Sequence, residues 1–474
     1  MSAIPPTATS MAPASPAQGP GEVLRLREAI AIIVGVVIGA GIFKAPSLVA
    51  GMTGDVSWMF TAWVLGGLAS LIGALCYAEL ATAYPHAGGD YHYLQRAYGR
   101  SMSLLFGWAR LSVITTGSIA LLAFVFGDYM TAVLPLPYLS ATGSSAAYAA
   151  ASVLVLSHIH LRGVKAMSST QVWLTALEIL GLGLIIVAAL TLPGANGAAV
   201  AAEPAAPHTP SLAMFGLAMV FVLLAYGGWN EAAYISAEVR DKRRNTVKAL
   251  VLSILIITAL YLAVVWAYWQ GLGLEGMAKS NAVAADLLKV SFGPTGELII
   301  SLMVAVAALT SINATMIVGA RTSYALGRDW HALRWLADWD QQRGAPLHAL
   351  RLQCVVSLLL IAIGTWAGGG FKAMVEFTAP VFWLFFLLSG ISLFVLRIRE
   401  PKAERPFKVP LYPVLPAVFC LVCAYMLWSA LSYVNSQTLG GWNAAWISVA
   451  VLGIGVVLVA LMRKPSAVHA PAAE

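Results

Sequence analysis

Two glycine-rich stretches inside otherwise apolar runs hold the residues best placed to do chemistry. The first reads GVVIGAGIF from Gly35 to Phe43, and the second reads AYGGWN from Ala225 to Asn230. A helix broken inside lipid leaves peptide groups that must be satisfied, so the break persists only where it lines a cavity or meets a ligand. At Ala40, Gly41 and Ile42 the freed N–H groups belong to the positive end of a half-helix, which favours a carboxylate by up to ~2 kcal/mol. Near Val37 and Ile38 the freed carbonyls suit an ammonium. A ligand with both charges on one carbon satisfies both ends together, which describes an α-amino acid. The competing reading is a packing kink with no ligand.

Ionisable residues within apolar runs are the other candidates, since each costs about 2.5–3.5 kcal/mol at a helix centre on insertion scales. Glu178, in QVWLTALEIL, is the sharpest. A carboxyl buried there could exchange a proton near neutral pH, or ligate Na⁺ with Ser311 and the carbonyls of the first run. The proton is the favoured reading, and a purely structural carboxylate is the third. Glu231 lies one helical turn beyond Gly227 and either attracts a cationic side chain or pairs with a basic residue at a gate that Tyr226 and Trp229 complete. Lys44 either steers the carboxylate or reaches the headgroups. Arg110 and Glu376 are expected in ion pairs, and His158 and His160 at an interface rather than on a metal. Cys420 and Cys423 form a CxxC with no further ligand at metal spacing, so packing is their expected role.

The elements that must position these residues are membrane helices. Of the 474 residues, 59% are apolar and 10% charged, against roughly 25% charged in a soluble domain. A mean hydropathy of +0.80 leaves too little charge to cover a globular surface. Apolar runs long enough for ~30 Å of hydrocarbon recur twelve times, near residues 29–50, 57–82, 103–127, 144–161, 170–192, 212–238, 248–270, 295–320, 352–367, 374–396, 411–432 and 443–462. Threaded alternately with the N-terminus inside, they leave only Lys279, Lys289 and Lys372 on the outer face, with Lys44 and Arg110 in spans. The other Lys and Arg fall inside, which places both termini in the cytoplasm. The net charge of +7 is spread through these loops rather than gathered in a patch, so no nucleic-acid partner is expected. Five spans separate the starts of the two glycine breaks, an odd number, so two five-span halves beginning there insert with opposite topology, the pattern of a midplane site in secondary transporters.

Four stretches carry a family resemblance: GVVIGAGIF, PHAGGDYHYLQRAYG from Pro85 to Gly99, FVLLAYGGWNEAAYISAEVRDKRRN from Phe221 to Asn245, and SINATMIVGARTSYALGRD from Ser311 to Asp329. They resemble, in order through spans one to ten, the amino acid, polyamine and organocation transporter superfamily, closest to its L-type exchangers and their bacterial relatives. The resemblance implies an all-α integral membrane protein of twelve transmembrane helices, with a five-plus-five inverted repeat, broken helices one and six, and alternating access. The Pro-, Ala- and Ser-rich start reads as a disordered cytoplasmic tail over 1–24, followed by a transporter core over 25–400, two further helices over 401–464 and a cytoplasmic tail over 465–474. On the matching positions, the backbone of Ala40, Gly41 and Ile42 would bind the substrate carboxylate. Val37, Leu224, Ala225 and Gly227 would meet the ammonium or line the pocket, and Asn230 would couple span six to the substrate. Leu224 stands where the exchangers often place an aromatic gate. Glu178 stands where many proton-linked or sodium-independent relatives carry a lysine, so the charge there is reversed. The loop from Asp128 to Ser145 lacks the cysteine of members that carry a glycoprotein subunit, so no disulfide-linked partner is expected.

The function expected is secondary transport of an α-amino acid, neutral for preference, by proton symport with H⁺ ahead of Na⁺. Exchange, with cationic amino acids or polyamines as cargo, is the alternative, and a membrane sensor without transport is the reading from another class. An enzyme is not expected, because no HExxH, GxSxG or paired intramembrane aspartates occur, nor a P-loop. The alanine-rich composition fits a bacterial inner membrane.

Overall fold

The computed structural model describes residues 26–84, 89–162, 168–192, 209–230, 242–340, 343, 345–366, 368, 370–434, 438–439 and 442–461. Among these, eight helices are long and apolar enough to cross a bilayer: Val56–Ala83, Arg100–Val133, Ala141–Arg162, Val247–Lys279, Val283–Asp329, Leu347–Trp366, Gly370–Arg399 and Val414–Ser432. They fall at expected spans two, three, four, seven, eight, nine, ten and eleven. Shorter apolar helices Leu177–Thr191, Leu212–Ala225 and Ile447–Leu461 fall at spans five, six and twelve. Span one is two pieces, Leu26–Val37 and Ala45–Thr53, joined by a 3₁₀ turn at Ala40–Phe43. By length alone the described residues give eight full crossings; the broken span one and the shorter helices at spans five, six and twelve fall below that length.

Local chemistry sets the ends. Gly54, with φ at 60°, closes Ala45–Thr53, and Asp55 then caps the next helix by accepting from the Trp58 N–H at 3.0 Å. Ser211 caps Leu212–Ala225 in the same way through the Met214 N–H. Span eight begins at a sharp bend, where Gly293 takes a φ of 67° and Pro294 follows. The only strands among the described residues are Thr438–Leu439 and Trp442–Asn443, a two-rung hairpin leading into the last helix.

Helices pack with polar groups answered inside the bundle. At the end carrying Leu26, Ala83 and Arg100, here the basic end, the buried Glu79 receives both nitrogens of an Arg397 fork at 2.7 and 2.6 Å, and the Val409 N–H at 2.6 Å. At the opposite end Lys44 is buried, with Nζ 2.6 Å from Asp128 and 2.6 Å from the Asn281 carbonyl. Lys44 thus joins the outer piece of span one to span three and to the Asn281 turn, and does not reach toward headgroups. The Ser145 hydroxyl donates to the other Asp128 oxygen at 2.6 Å.

Candidate functional site

The two interrupted spans meet. Span one leaves helical geometry at Ile38 and Gly39 and resumes after Lys44. Span six leaves it after Ala225, where Tyr226 to Gly228 form a turn, and Gly228 takes a φ of 99° that a side chain would resist. The two breaks touch at main-chain distance: a Cβ on Gly41 would lie 3.0 Å from the Ala225 Cα. One hydroxyl links them, because Tyr261 of span seven lies 3.0 Å from the Ala225 carbonyl and 3.2 Å from that of Val37, and its single proton serves both. A second, Tyr129 of span three, donates to the Phe43 carbonyl at 2.6 Å. Both tyrosines are fully buried.

On the basic side of this contact lies a cavity of about 260 Å³. Leu224, Gly227, Gly228 and Asn230 of span six form one wall, and Phe382, Phe385 and Phe386 of span ten another. Span three contributes Phe106, Arg110, Ile114, Thr115 and Ser118, span eight contributes Ala314, Thr315 and Val318, and Asp90 closes the basic end. Asp90 is buried and accepts from the Tyr77 and Ser389 hydroxyls, each at 2.7 Å. A smaller void of about 40 Å³ continues past Leu224 and Phe382 toward Thr378 and Trp383. Leu224 and Phe382 therefore stand together between two compartments of one path.

The expected binding residues divide into two groups. Leu224, Gly227 and Asn230 line the cavity. Val37, Ile38, Ala40, Ile42 and Ala225 are buried at the contact between breaks, whereas Gly41 is half-exposed. Gly39 is half-exposed too, and a Cβ on it would meet nothing within 4 Å, so open space adjoins the span-one break. As the opening residues of a 3₁₀ turn, Ala40 and Gly41 have no carbonyl within that turn to receive their N–H groups.

Glu178 is buried on span five. Among the described residues it has no cationic partner. One turn on, a Cβ at Gly181 would lie 3.9 Å from the Phe43 ring and 3.4 Å from Met303 of span eight, so this face of span five looks at the span-one turn. Ser311 is half-buried on span eight and its carbonyl accepts from the Thr315 hydroxyl at 2.8 Å; no hydrogen bond joins it to Glu178. Tyr226 and Trp229 are buried away from the cavity: the Tyr226 hydroxyl donates to the Trp63 carbonyl at 3.1 Å, and Trp229 packs edge-on against Tyr77, Phe386 and Phe419. Glu231 lies outside the described residues.

Arg110 departs from its expected ion pair. No salt bridge reaches it among the described residues, and its Nε has no hydrogen-bond partner. Glu376 does pair, with Lys372 one turn away at 3.7 Å. His160 is buried against Asn313 while His158 is exposed, and no described cluster of His, Cys, Asp or Glu could hold a metal. Cys76, Cys354, Cys420 and Cys423 are free thiols.

Sequence reasoning missed Tyr261, Tyr129, Asp90 and the span-ten aromatics. A tyrosine at the centre of an apolar run, as in ITALYLAVV, is a signal, because a buried phenol needs an acceptor. Three phenylalanines within five residues beside Pro380 are another.

Comparison with known proteins agrees with this geometry. Residues 24–458 match the family described as amino acid permease. The human b(0,+)-type amino acid transporter 1 is 30% identical over 408 residues, covering 85% of this chain and 81% of that protein. The mouse Asc-type amino acid transporter 1 is 28% identical over 451 residues, covering 94% and 82%. The human large neutral amino acids transporter small subunit 2 is 28% identical over 410 residues, covering 85% and 75%. With a match that spans most of its length and two interrupted helices meeting beside a cavity, the chain belongs to the amino acid permease family, membrane transporters rather than enzymes.

Proposed function

We propose that this protein moves a neutral α-amino acid across a bilayer by alternating access, driven by a co-transported proton. The observation that carries the reading is the meeting of the two breaks: the N–H groups of Ala40 and Gly41, which have no acceptor within their own 3₁₀ turn, and open space at Gly39 adjoin the turn of span six. These groups suit the carboxylate, and the carbonyls at the ends of the two half-helices suit the ammonium. The phenylalanines of span ten and Leu224 favour an uncharged side chain. With the basic end in the cytoplasm, as the distribution of Lys and Arg directs, the cavity faces inward and the Gly41–Ala225 contact closes the outward path.

Glu178 is the coupling group in this reading. It is buried on span five one turn from Gly181, which faces the span-one turn, so protonation of one carboxyl is felt beside the point where span one meets span six. Na⁺ is the alternative ion, with Ser311 as a further ligand.

Uptake of labelled amino acids into proteoliposomes tests both statements. The expected result is accumulation that accelerates as external pH falls, with the acceleration lost in Glu178→Gln. A variant that keeps a normal pH response would remove Glu178 from coupling. Uptake that requires an amino acid inside the vesicle would replace symport by exchange, and no flux under any gradient would replace transport by sensing.

A further inference from the structure

Arg110 is the only cation among the described residues lining the 260 Å³ cavity. A guanidinium at this depth in a membrane helix is costly unless something answers it. Within the described protein its one recorded contact is weak, the guanidinium carbon standing 5.8 Å from the Phe106 ring centre. Asp90, the acid of the same cavity, is already engaged by Tyr77 and Ser389.

The backbone has been altered at this position. Arg110–Ile114 is a π-turn inside span three, with the Thr115 N–H donating to the Arg110 carbonyl. Such a turn adds a residue to the helix and rotates everything beyond it by about 100°, the angle per residue of an α-helix. Ile114 and Ser118 share the cavity wall with Arg110 at the ordinary four-residue spacing of a helix face, and the π-turn brings Thr115, five residues on, into the same wall.

Resting on the transport reading above, we infer that Arg110 receives the substrate's side chain, and that the preferred substrates are neutral amino acids whose side chain ends in a carboxamide. The α-carboxylate has its own donors at Ala40 and Gly41, which do not line this cavity. What reaches Arg110 is therefore the group projecting from the α-carbon past Gly227 toward the basic end. A guanidinium offers five N–H donors and no acceptor, so it rewards a carbonyl or carboxylate oxygen and repels an ammonium. Thr115, Ser118 and Thr315 add hydroxyls beside it, while the phenylalanines cover the methylene stem.

The test is ligand-induced thermal stabilisation of the purified full-length protein, titrated separately with L-glutamine, L-glutamate, L-methionine and L-lysine. A ligand that binds only the folded state raises its melting temperature. Glutamine is expected to reach half-maximal shift at a concentration at least tenfold below methionine, with lysine weakest, and glutamate binding more tightly than glutamine overturns the carboxamide assignment. Tenfold corresponds to about 1.4 kcal/mol, in the range of one hydrogen bond to a charged group. Arg110→Ala should bring the glutamine-to-methionine ratio within about threefold, and Arg110→Lys, which keeps the charge without the fork, should fall between. If Arg110→Ala is not recovered as a monodisperse protein, the Lys variant carries the ratio. An unchanged ratio in the variants, or lysine as the tightest ligand, overturns the assignment. Methionine shifting the wild type as well as glutamine does sinks the Arg110 reading alone, whereas no shift with any amino acid sinks the transport reading beneath it.

Discussion

Removing one hydroxyl tests the join between the two broken spans. Tyr261→Phe deletes the oxygen that lies 3.0 Å from the Ala225 carbonyl and 3.2 Å from the Val37 carbonyl, and leaves the ring in place. That ring packs edge-on against Trp63 at 5.8 Å and tilted against Tyr226 at 5.0 Å, contacts that phenylalanine keeps. The loss is then one hydrogen bond, net ~0.5–1.5 kcal/mol, raised toward ~1–3 kcal/mol because a buried carbonyl is left without a donor. Such an energy is about a 5–150-fold change in an equilibrium constant. It falls on the state in which the half-helices are locked together, so two readouts should move. The melting temperature of the purified protein should drop by several degrees, and the pH response of uptake should be blunted, since the join between the breaks through which the proposed Glu178 coupling would run is gone. A variant that melts with the wild type and keeps its pH profile would refute the claim that this hydroxyl joins the breaks. A lower melting temperature with an unchanged pH profile would leave Tyr261 structural and cut the path from Glu178.

Two more perturbations probe other parts. Gly41→Ala puts a methyl 3.0 Å from the Ala225 main chain and should cost ~1–3 kcal/mol by overpacking; Gly39→Ala, which meets nothing within 4 Å, should melt within a degree or two of wild type, and equal losses in both would refute the contact. The Arg96–Glu400 fork, with bonds of 2.8 and 2.9 Å, holds the Glu400 carboxyl below the usual carboxylate range. Because Glu400 is depressed, its contribution is present above the ordinary carboxylate value of about 4.3 and is lost as pH falls through the lower folded value. Arg96 is 43% exposed, so screening holds the effect of Arg96→Gln under ~1 kcal/mol at pH 7, and melts recorded down to pH 3 should show the gap closing.

Much of this arrangement is legible in the sequence because membrane helices obey a length rule and glycine breaks are rare enough to stand out. The interruptions at Gly39 and Gly228 fall inside GVVIGAGIF and AYGGWN, and Leu224, Gly227 and Asn230 line the cavity. What could not be read depends on distance or on register. The acceptors of Tyr261 lie 36 and 224 residues away, so nothing near it in sequence marks its role. Arg110 looks like half of an ion pair as long as span three is a regular helix, and the π-turn that sets its surroundings leaves no periodic signature. Lys44 looks free to extend toward headgroups because its partners, Asp128 and the Asn281 carbonyl, arrive from other spans. Tyr226 and Trp229 sit beside the break in sequence, yet aromatic neighbours from spans two, seven and ten draw them into packing.

Glu79 fastens the lower part of the bundle with a single carboxyl group. Its two oxygens tie span two to Arg397 on span ten and to the Val409 amide in the segment leading to span eleven, and Arg405 of the same segment stands 3.6 Å away. Three pieces of chain are thus held at one buried, charge-assisted junction. A change of conformation of the kind proposed above then meets less resistance along seams away from this junction.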